Sequence, residues 1–142
     1  MPLLLDTDLT SILQQESEPS HAILQAKLSE CPSQEACTSI LSFHEQFQGW
    51  LAYLNRARTG DRIVRAYLEL MRVLEYYCSA RVLPFDDAAQ GKFADLRRQR
   101  VRIGTMDLRI ASIALTTGSL LLSRNLREFR QVPGLTIEDW AR

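Results

Sequence analysis

An α/β fold built on a short, mainly parallel central sheet is expected from three observations. Leu3-Leu4-Leu5 and Ser119-Leu120-Leu121-Leu122-Ser123 are short unbroken apolar runs, the pattern of strands buried on both faces. Between them, stretches with apolar residues every three or four positions alternate with apolar runs at 36–38 and 82–85, the order of helical crossovers in a parallel sheet. The chain has 142 residues, 46% hydrophobic and 24% charged, so a single domain over 1–142 can bury a core without staples.

Strand 3–5 comes first, and Asp6 and Asp8 follow it, at the sheet edge where open α/β folds bind ligands. Residues 9–15 suit a short helix that Glu16-Ser17-Glu18-Pro19-Ser20 breaks, with Ser20 placed to cap a helix from His21 to about Ser29. Pro32 and Ser33 mark a turn before a strand at 36–38. Ile40, Phe43, Phe47, Leu51 and Leu54 then form the stripe of an amphipathic helix expected to face the core. Glu45 lies beside that stripe, and Gly49, a turn further on, would let another backbone approach.

Thr59-Gly60-Asp61 separates this helix from the next, and Asp61 can cap it. Residues 62–79 repeat the helical stripe with Ile63, Ala66, Tyr67, Leu70, Val73, Leu74 and Tyr77, which predicts an antiparallel helical hairpin. Met71, Tyr76 and Tyr77 read as core or dimer packing rather than a ligand-binding aromatic group. Val82-Leu83-Pro84-Phe85 is the third expected strand, and Asp86 or Asp87 caps a helix to about Arg100. Gly104 allows a tight turn, Thr105 caps a new helix, and Asp107 opens the face continued by Ile110, Ala111, Ala114 and Leu115. An acid at a helix start favours the dipole, but that does not account for its place on a small, apolar face. Gly118 closes the helix, and strand 119–123 delivers Ser123, Arg124 and Asn125 to the same edge as Asp6. One helical turn at 126–129, a Pro133-Gly134 turn and a strand at 135–137 complete the chain.

Composition narrows the function. No apolar run nears the ~18 residues of a membrane span and no signal-peptide pattern opens the chain, so a cytoplasmic protein is expected. Cys31, Cys37 and Cys78 are odd in number and lack Cys-x-x-Cys spacing, which argues against a disulfide framework or structural zinc. Net charge is zero, yet residues 1–61 carry 3 basic and 8 acidic side chains and residues 62–142 carry 14 and 9. A carboxylate-rich half joined to an arginine-rich half suits a metal site beside phosphate-binding surface.

Asp6 with Asp8, Glu45, Asp107, and the group Ser123 to Asn125 are therefore expected to meet at one edge. Carboxylates brought together repel, and a divalent cation removes the repulsion. Oxygen-only ligands select Mg²⁺ or Mn²⁺, which complete their shells with water and phosphate oxygens. Phosphodiester hydrolysis is the natural reaction. Arg97, Arg98, Arg100 and Arg102 precede Asp107, and Arg124, Arg127 and Arg130 follow the strand end; Arg98, Arg100, Arg102 and Arg124 are the candidate contacts to substrate phosphate.

Five segments in order, Leu-Leu-Leu-Asp-Thr-Asp at 3–8, Thr-Ser-Ile-Leu-Ser-Phe-His-Glu-Gln-Phe-Gln-Gly at 38–49, Ile-Gly-Thr-Met-Asp-Leu-Arg-Ile-Ala at 103–111, Leu-Leu-Leu-Ser-Arg-Asn-Leu-Arg-Glu-Phe at 120–129 and Val-Pro-Gly-Leu at 132–135, resemble the successive motifs of PIN-domain proteins, especially VapC-type toxins. The resemblance implies an α/β/α sandwich, Mg²⁺- or Mn²⁺-dependent ribonuclease activity, a homodimer and a small cognate antitoxin. It matches Asp6, Glu45 and Asp107 to the family's metal-binding, catalytic acids, with Asp8, Ser123 and Asn125 as supporting groups. Two positions depart from the family pattern. Asn125 stands at its fourth acidic position, which weakens a second metal site, and Asp8 stands where the family often has Asn, so it either adds a charge or caps the next helix.

Other readings compete. Asp6-Thr7-Asp8-Leu9-Thr10 also resembles the nucleophile loop of haloacid-dehalogenase-type phosphatases, with Asp6 attacking phosphorus and Asp8 as acid and base. Such enzymes need a later lysine and acidic pair, and this chain has no lysine after Lys92 and 19 residues after Ser123. A third reading is a catalytically silent module that binds RNA or an antitoxin.

Overall fold

Strands β1 (Leu3–Leu5), β2 (Ala36–Ser39), β3 (Val82–Leu83), β4 (Leu120–Leu122) and β5 (Ile137–Glu138) form one sheet in the order β3-β2-β1-β4-β5. Every pairing is parallel. The computed structural model describes residues 1–31 and 36–142, and the turn expected at Pro32 and Ser33 lies outside them. Helices α1 (Thr7–Gln14), α2 (His21–Ser29), α3 (Ile40–Arg56), α4 (Gly60–Ser79), α5 (Asp87–Arg98), α6 (Thr105–Thr117) and α7 (Leu126–Phe129) complete the described elements.

The leucine runs divide the molecule into layers because alternate side chains of a strand point to opposite faces. Leu4 and Leu121 enter one core with Ala89, Phe93 and Leu96 of α5 and Leu108, Ile110 and Ile113 of α6. Leu3, Leu5, Leu120 and Leu122 enter a second core with Leu9 and Ile12 of α1 and Leu24 of α2. The expected α/β/α sandwich is thus centred on two strands of three residues, β1 and β4, each of whose leucines contributes about 1.5–3 kcal/mol by burial. Register matters more for the site: Leu3 pairs with Leu120 and Leu5 with Leu122, so β1 and β4 end level. Asp6 and Ser123 leave the sheet side by side.

Several boundaries differ from expectation, each for a local reason. Helix α1 starts at Thr7, capped by Asp6, whose Oδ1 accepts from the Leu9 amide at 2.9 Å. Ser20 is itself in the helical region and its side chain makes no cap hydrogen bond. Thr59, not Asp61, caps α4. Strand β3 stops at Leu83, before a proline that has no amide to give a neighbour. Asp86 is the cap of α5, which ends at Arg98. Gly104 precedes α6 as its N-cap and Thr105 is the first helical residue. Gly118, left-handed at φ 64°, closes that helix as expected. The last strand falls at 137–138, beyond a Gly134 turn with φ 78°.

The helical hairpin forms, with α3 and α4 packed together, but its stripes are not wholly core. Leu41 and Ser42 are the buried residues of α3, while Phe47 and Leu51 remain 37% exposed. On α4, Ala66, Val73 and Tyr77 are buried, whereas Val64, Tyr67, Leu68, Met71 and Leu74 are half exposed or more. Gly49 faces open space, so no backbone approaches it. Tyr77 packs its ring edge-on to Phe43, with centroids 5.3 Å apart, and its hydroxyl donates to Gln46 Oε1 at 2.9 Å. Among the described residues no helix is long and apolar enough to cross a membrane.

Candidate active site

The strand ends and two helix starts bring the predicted acids to one cleft of about 540 Å³, lined by Asp6, Thr7, Asp8, Glu45, Asp107, Arg124 and Asn125. A larger groove, about 840 Å³, lies between the end of α1 and the α3–α4 hairpin, among Gln14, Gln46, Trp50, Arg65 and Tyr76. The acids do not gather there.

Asp6 is 6% exposed and each of its carboxylate oxygens accepts a hydrogen bond. Oδ1 takes the cap hydrogen bond, and Oδ2 accepts from Ser123 Oγ at 2.5 Å. Ser123 Oγ in turn accepts from the Asn125 amide at 2.9 Å, so the turn after β4 orients the acid at the end of β1. Burial pushes the Asp6 carboxyl up from its ordinary value of 3.8 to about 6; the Ser123 and Leu9 hydrogen bonds oppose the shift, and the charges of Asp8 and Asp107 add to it. Asp107 is also held above the ordinary carboxylate range, first by burial and then by Glu45 and Glu128, against a hydrogen bond from Asn125. Glu45 is held from the other side: Thr7 Oγ1 donates to its Oε1 at 2.6 Å and lies 2.9 Å from Ser42 Oγ.

Thr7, Ser42 and Glu128 were not among the predicted residues. A hydroxyl that orients a carboxylate has no periodicity to betray it, although Thr7 stands between two acids. Asp8 does not cap α1; its carboxylate takes both Nε and Nη2 of Arg124, at 2.7 and 2.8 Å. Arg98 pairs with Asp95 on its own helix. Arg100 and Arg102 line an adjoining cleft of about 500 Å³ with Arg97, Gly104, Thr105 and Glu128. Of the four predicted RNA contacts, Arg124 alone lines the acidic cleft.

Among the described residues no three His, Cys, Asp or Glu side chains close into a ready-made cation cage. The donor chemistry nevertheless suits a hard cation that keeps most of its waters, since Mg²⁺ needs one or two direct carboxylates. A buried acid that feels the charge of Asp107, and a partly buried Asp107 that feels Glu45 and Glu128, are what such a charge would stabilise.

Together the five-stranded parallel sheet, its two helical layers and the acid-lined cleft at the strand ends define a PIN-type α/β domain. No protein-family model matches the sequence. The tRNA(fMet)-specific endonuclease VapC of Salmonella typhimurium is 29% identical over 140 residues, covering 99% of this chain and 98% of that protein. Ribonuclease VapC1 of Rickettsia felis is 35% identical over 75 residues, 49% of this chain and 56% of that one. VapBC-1 from nontypeable Haemophilus influenzae has the same fold, with a TM-score of 0.78, 20% identity and full coverage of both chains. DNA-bound VapBC from Salmonella typhimurium follows with a TM-score of 0.72 and 24% identity, over 99% of this chain and 98% of that one. The chain has the fold of VapC-type PIN-domain proteins and resembles one of them in sequence over nearly its whole length.

Proposed function

We propose that the protein is a Mg²⁺- or Mn²⁺-dependent endoribonuclease that hydrolyses RNA phosphodiesters in the cytoplasm, as the toxin of a toxin–antitoxin pair. The observation that carries this reading is the coupling of Asp6, Glu45 and Asp107 at a single cleft, with burial and mutual repulsion raising Asp6 and Asp107. In this reading Asp6 and Asp107 would hold the cation, with Glu45 as the third acid beside them. The cation supplies charge neutralisation at the scissile phosphate and acidity to the attacking water. Ser123 and Thr7 keep Asp6 and Glu45 oriented, so the chain spends little reorganisation when substrate arrives. Water adds to phosphorus, the bond to the departing ribose oxygen breaks, and that oxygen leaves with a proton.

The phosphatase alternative fares poorly on the same geometry. Such an enzyme needs a lysine beside its nucleophile, and no lysine is among the residues lining the cleft. Initiator tRNA is the first substrate to test, because the Salmonella relative is named for it. Inhibitor-free protein should cut it, within unfractionated bacterial tRNA, when Mg²⁺ or Mn²⁺ is present. Cleavage that persists in excess chelator would rule out the metal, and no cleavage of any RNA would favour the silent binding module.

The exposed apolar face of the hairpin supports protein partners, a small antitoxin and a second copy of the chain. Ile63, Val64, Tyr67, Leu68, Met71 and Leu74 are 40% to 59% exposed on α4 alone, and apolar surface gathered on one helix marks an interaction site. The double variant Leu68→Glu, Met71→Glu should lose dimerisation or antitoxin co-purification by at least about tenfold, with stability changed by about 0.5 kcal/mol or less. Unaltered association in both assays would remove this face from the interface.

A further inference from the structure

We propose that Asp8 and Arg124 form a clasp that positions an RNA phosphate at the rim of the acidic cleft; the inference rests on the ribonuclease reading and assigns a role to two residues it leaves idle. Four carboxylates, Asp6, Asp8, Glu45 and Asp107, line the cleft, and a polyanion entering it meets one cationic side chain among the lining residues, Arg124. The neighbouring guanidinium groups lie outside this cleft: Arg97 and Arg109 lie over the Phe93 ring, Arg98 pairs with Asp95, and Arg100 and Arg102 line the adjoining cleft. A second cation at this position answers the repulsion that the acids present to substrate.

The geometry distinguishes a clasp from an ordinary surface pair. Asp8 takes the guanidinium side-on, through Nε at 2.7 Å and Nη2 at 2.8 Å. That leaves one Nη1 and one Nη2 hydrogen on the end edge, a fork that fits two phosphate oxygens, with the second Nη1 hydrogen beside it. Asp8 thus fixes the plane of Arg124 without consuming the edge that would bind. The pair also joins the first turn of α1 to the turn after β4, the two segments that hold Asp6 and Ser123.

Stability does not explain the pair. Its side chains are 42% and 49% exposed, and exposed ion pairs contribute little to folding. Holding a long, mobile side chain in its bound orientation before substrate arrives instead removes an ordering cost from association. Asp8 is therefore a positioning residue that acts through Arg124.

The test compares wild type, Arg124→Gln, Asp8→Asn, the double variant and Arg124→Lys, in cleavage and filter binding of unfractionated tRNA over a salt series. Arg124→Gln should raise KM about tenfold with kcat within about twofold, the loss of one charge-assisted phosphate contact. It should also flatten the dependence of log Kd on log salt by about one. Asp8→Asn should raise KM about threefold, and the double variant should be no worse than Arg124→Gln, because the aspartate acts only through the arginine. Arg124→Lys should keep the salt slope yet show the raised KM of Asp8→Asn, since an ammonium cannot serve both partners side-on. All should melt within about 5 °C of wild type. A lower KM in Asp8→Asn would show the aspartate competing with phosphate and overturn the clasp, as would unchanged KM and salt slope in Arg124→Gln. Wild-type protein that binds but does not cut tRNA overturns the ribonuclease reading alone, with the binding arm still deciding the clasp. Protein that does neither overturns both.

Discussion

Asp107→Asn should lower the rate of RNA cleavage by more than about a hundredfold, since even groups that only support metal ligands typically cost 10–100-fold. The side chain opens α6 at the cleft, where its charge is felt by Asp6 and it feels Glu45 and Glu128. Asparagine keeps the shape and one oxygen but removes the charge a divalent cation requires. The thermal shift that Mg²⁺ or Mn²⁺ produces in wild type should fall with it, which separates loss of a ligand from loss of fold. Asp87→Asn, in the exposed first turn of α5, should cleave at the wild-type rate. Equal cleavage by Asp107→Asn and wild type would remove the acid from the mechanism.

Asp6→Asn should have the opposite effect on two properties, abolishing cleavage while stabilising the metal-free protein near neutral pH. The folded-state carboxyl is raised to about 6 from 3.8, so the native protein holds a proton that the unfolded chain releases. Below the unfolded value both states are protonated and nothing is lost. As pH rises from about 4 to 6 the unfolded state ionises first and stability falls, and above that window the burial of the charge costs about 3 kcal/mol. Asparagine escapes this cost and remains a good helix cap for the Leu9 amide. In chelator, urea melts should show Asp6→Asn more stable than wild type by about 1–3 kcal/mol at pH 7.5, with the gap closing by pH 4. Added Mg²⁺ should narrow the gap at pH 7.5 by binding the native wild type. A variant less stable than wild type in chelator at pH 7.5 would show that the charged carboxylate holds the fold together.

Much of this was legible along the chain, and the reasons differ by element. Leu3-Leu4-Leu5 and Leu120-Leu121-Leu122 read as strands because an unbroken apolar run that short can be buried on both faces. Asp6, Glu45 and Asp107 could be named because each acid interrupts or borders an apolar pattern. The α3 and α4 stripes were legible as apolar faces but not as what covers them: periodicity reports which side avoids water and says nothing about whether that side meets core or partner. Hence Phe47 and Leu51, expected to face the core, lie at the surface, as do Tyr67 and Leu74 of the α4 stripe. Gly49 was misread for a related reason, since a glycine permits a close approach without requiring one.

The sequence by itself determined the order of strands and helices, the two-faced leucine strands and the identity of the acids, because these depend on residue spacing and local propensity. Tertiary structure alone decided that Ser123 would orient Asp6, that Thr7 would orient Glu45, and that Asp8 would seize Arg124 across 116 positions. Such contacts arise between residues with no shared period, and they exist only once level strand ends bring distant turns together.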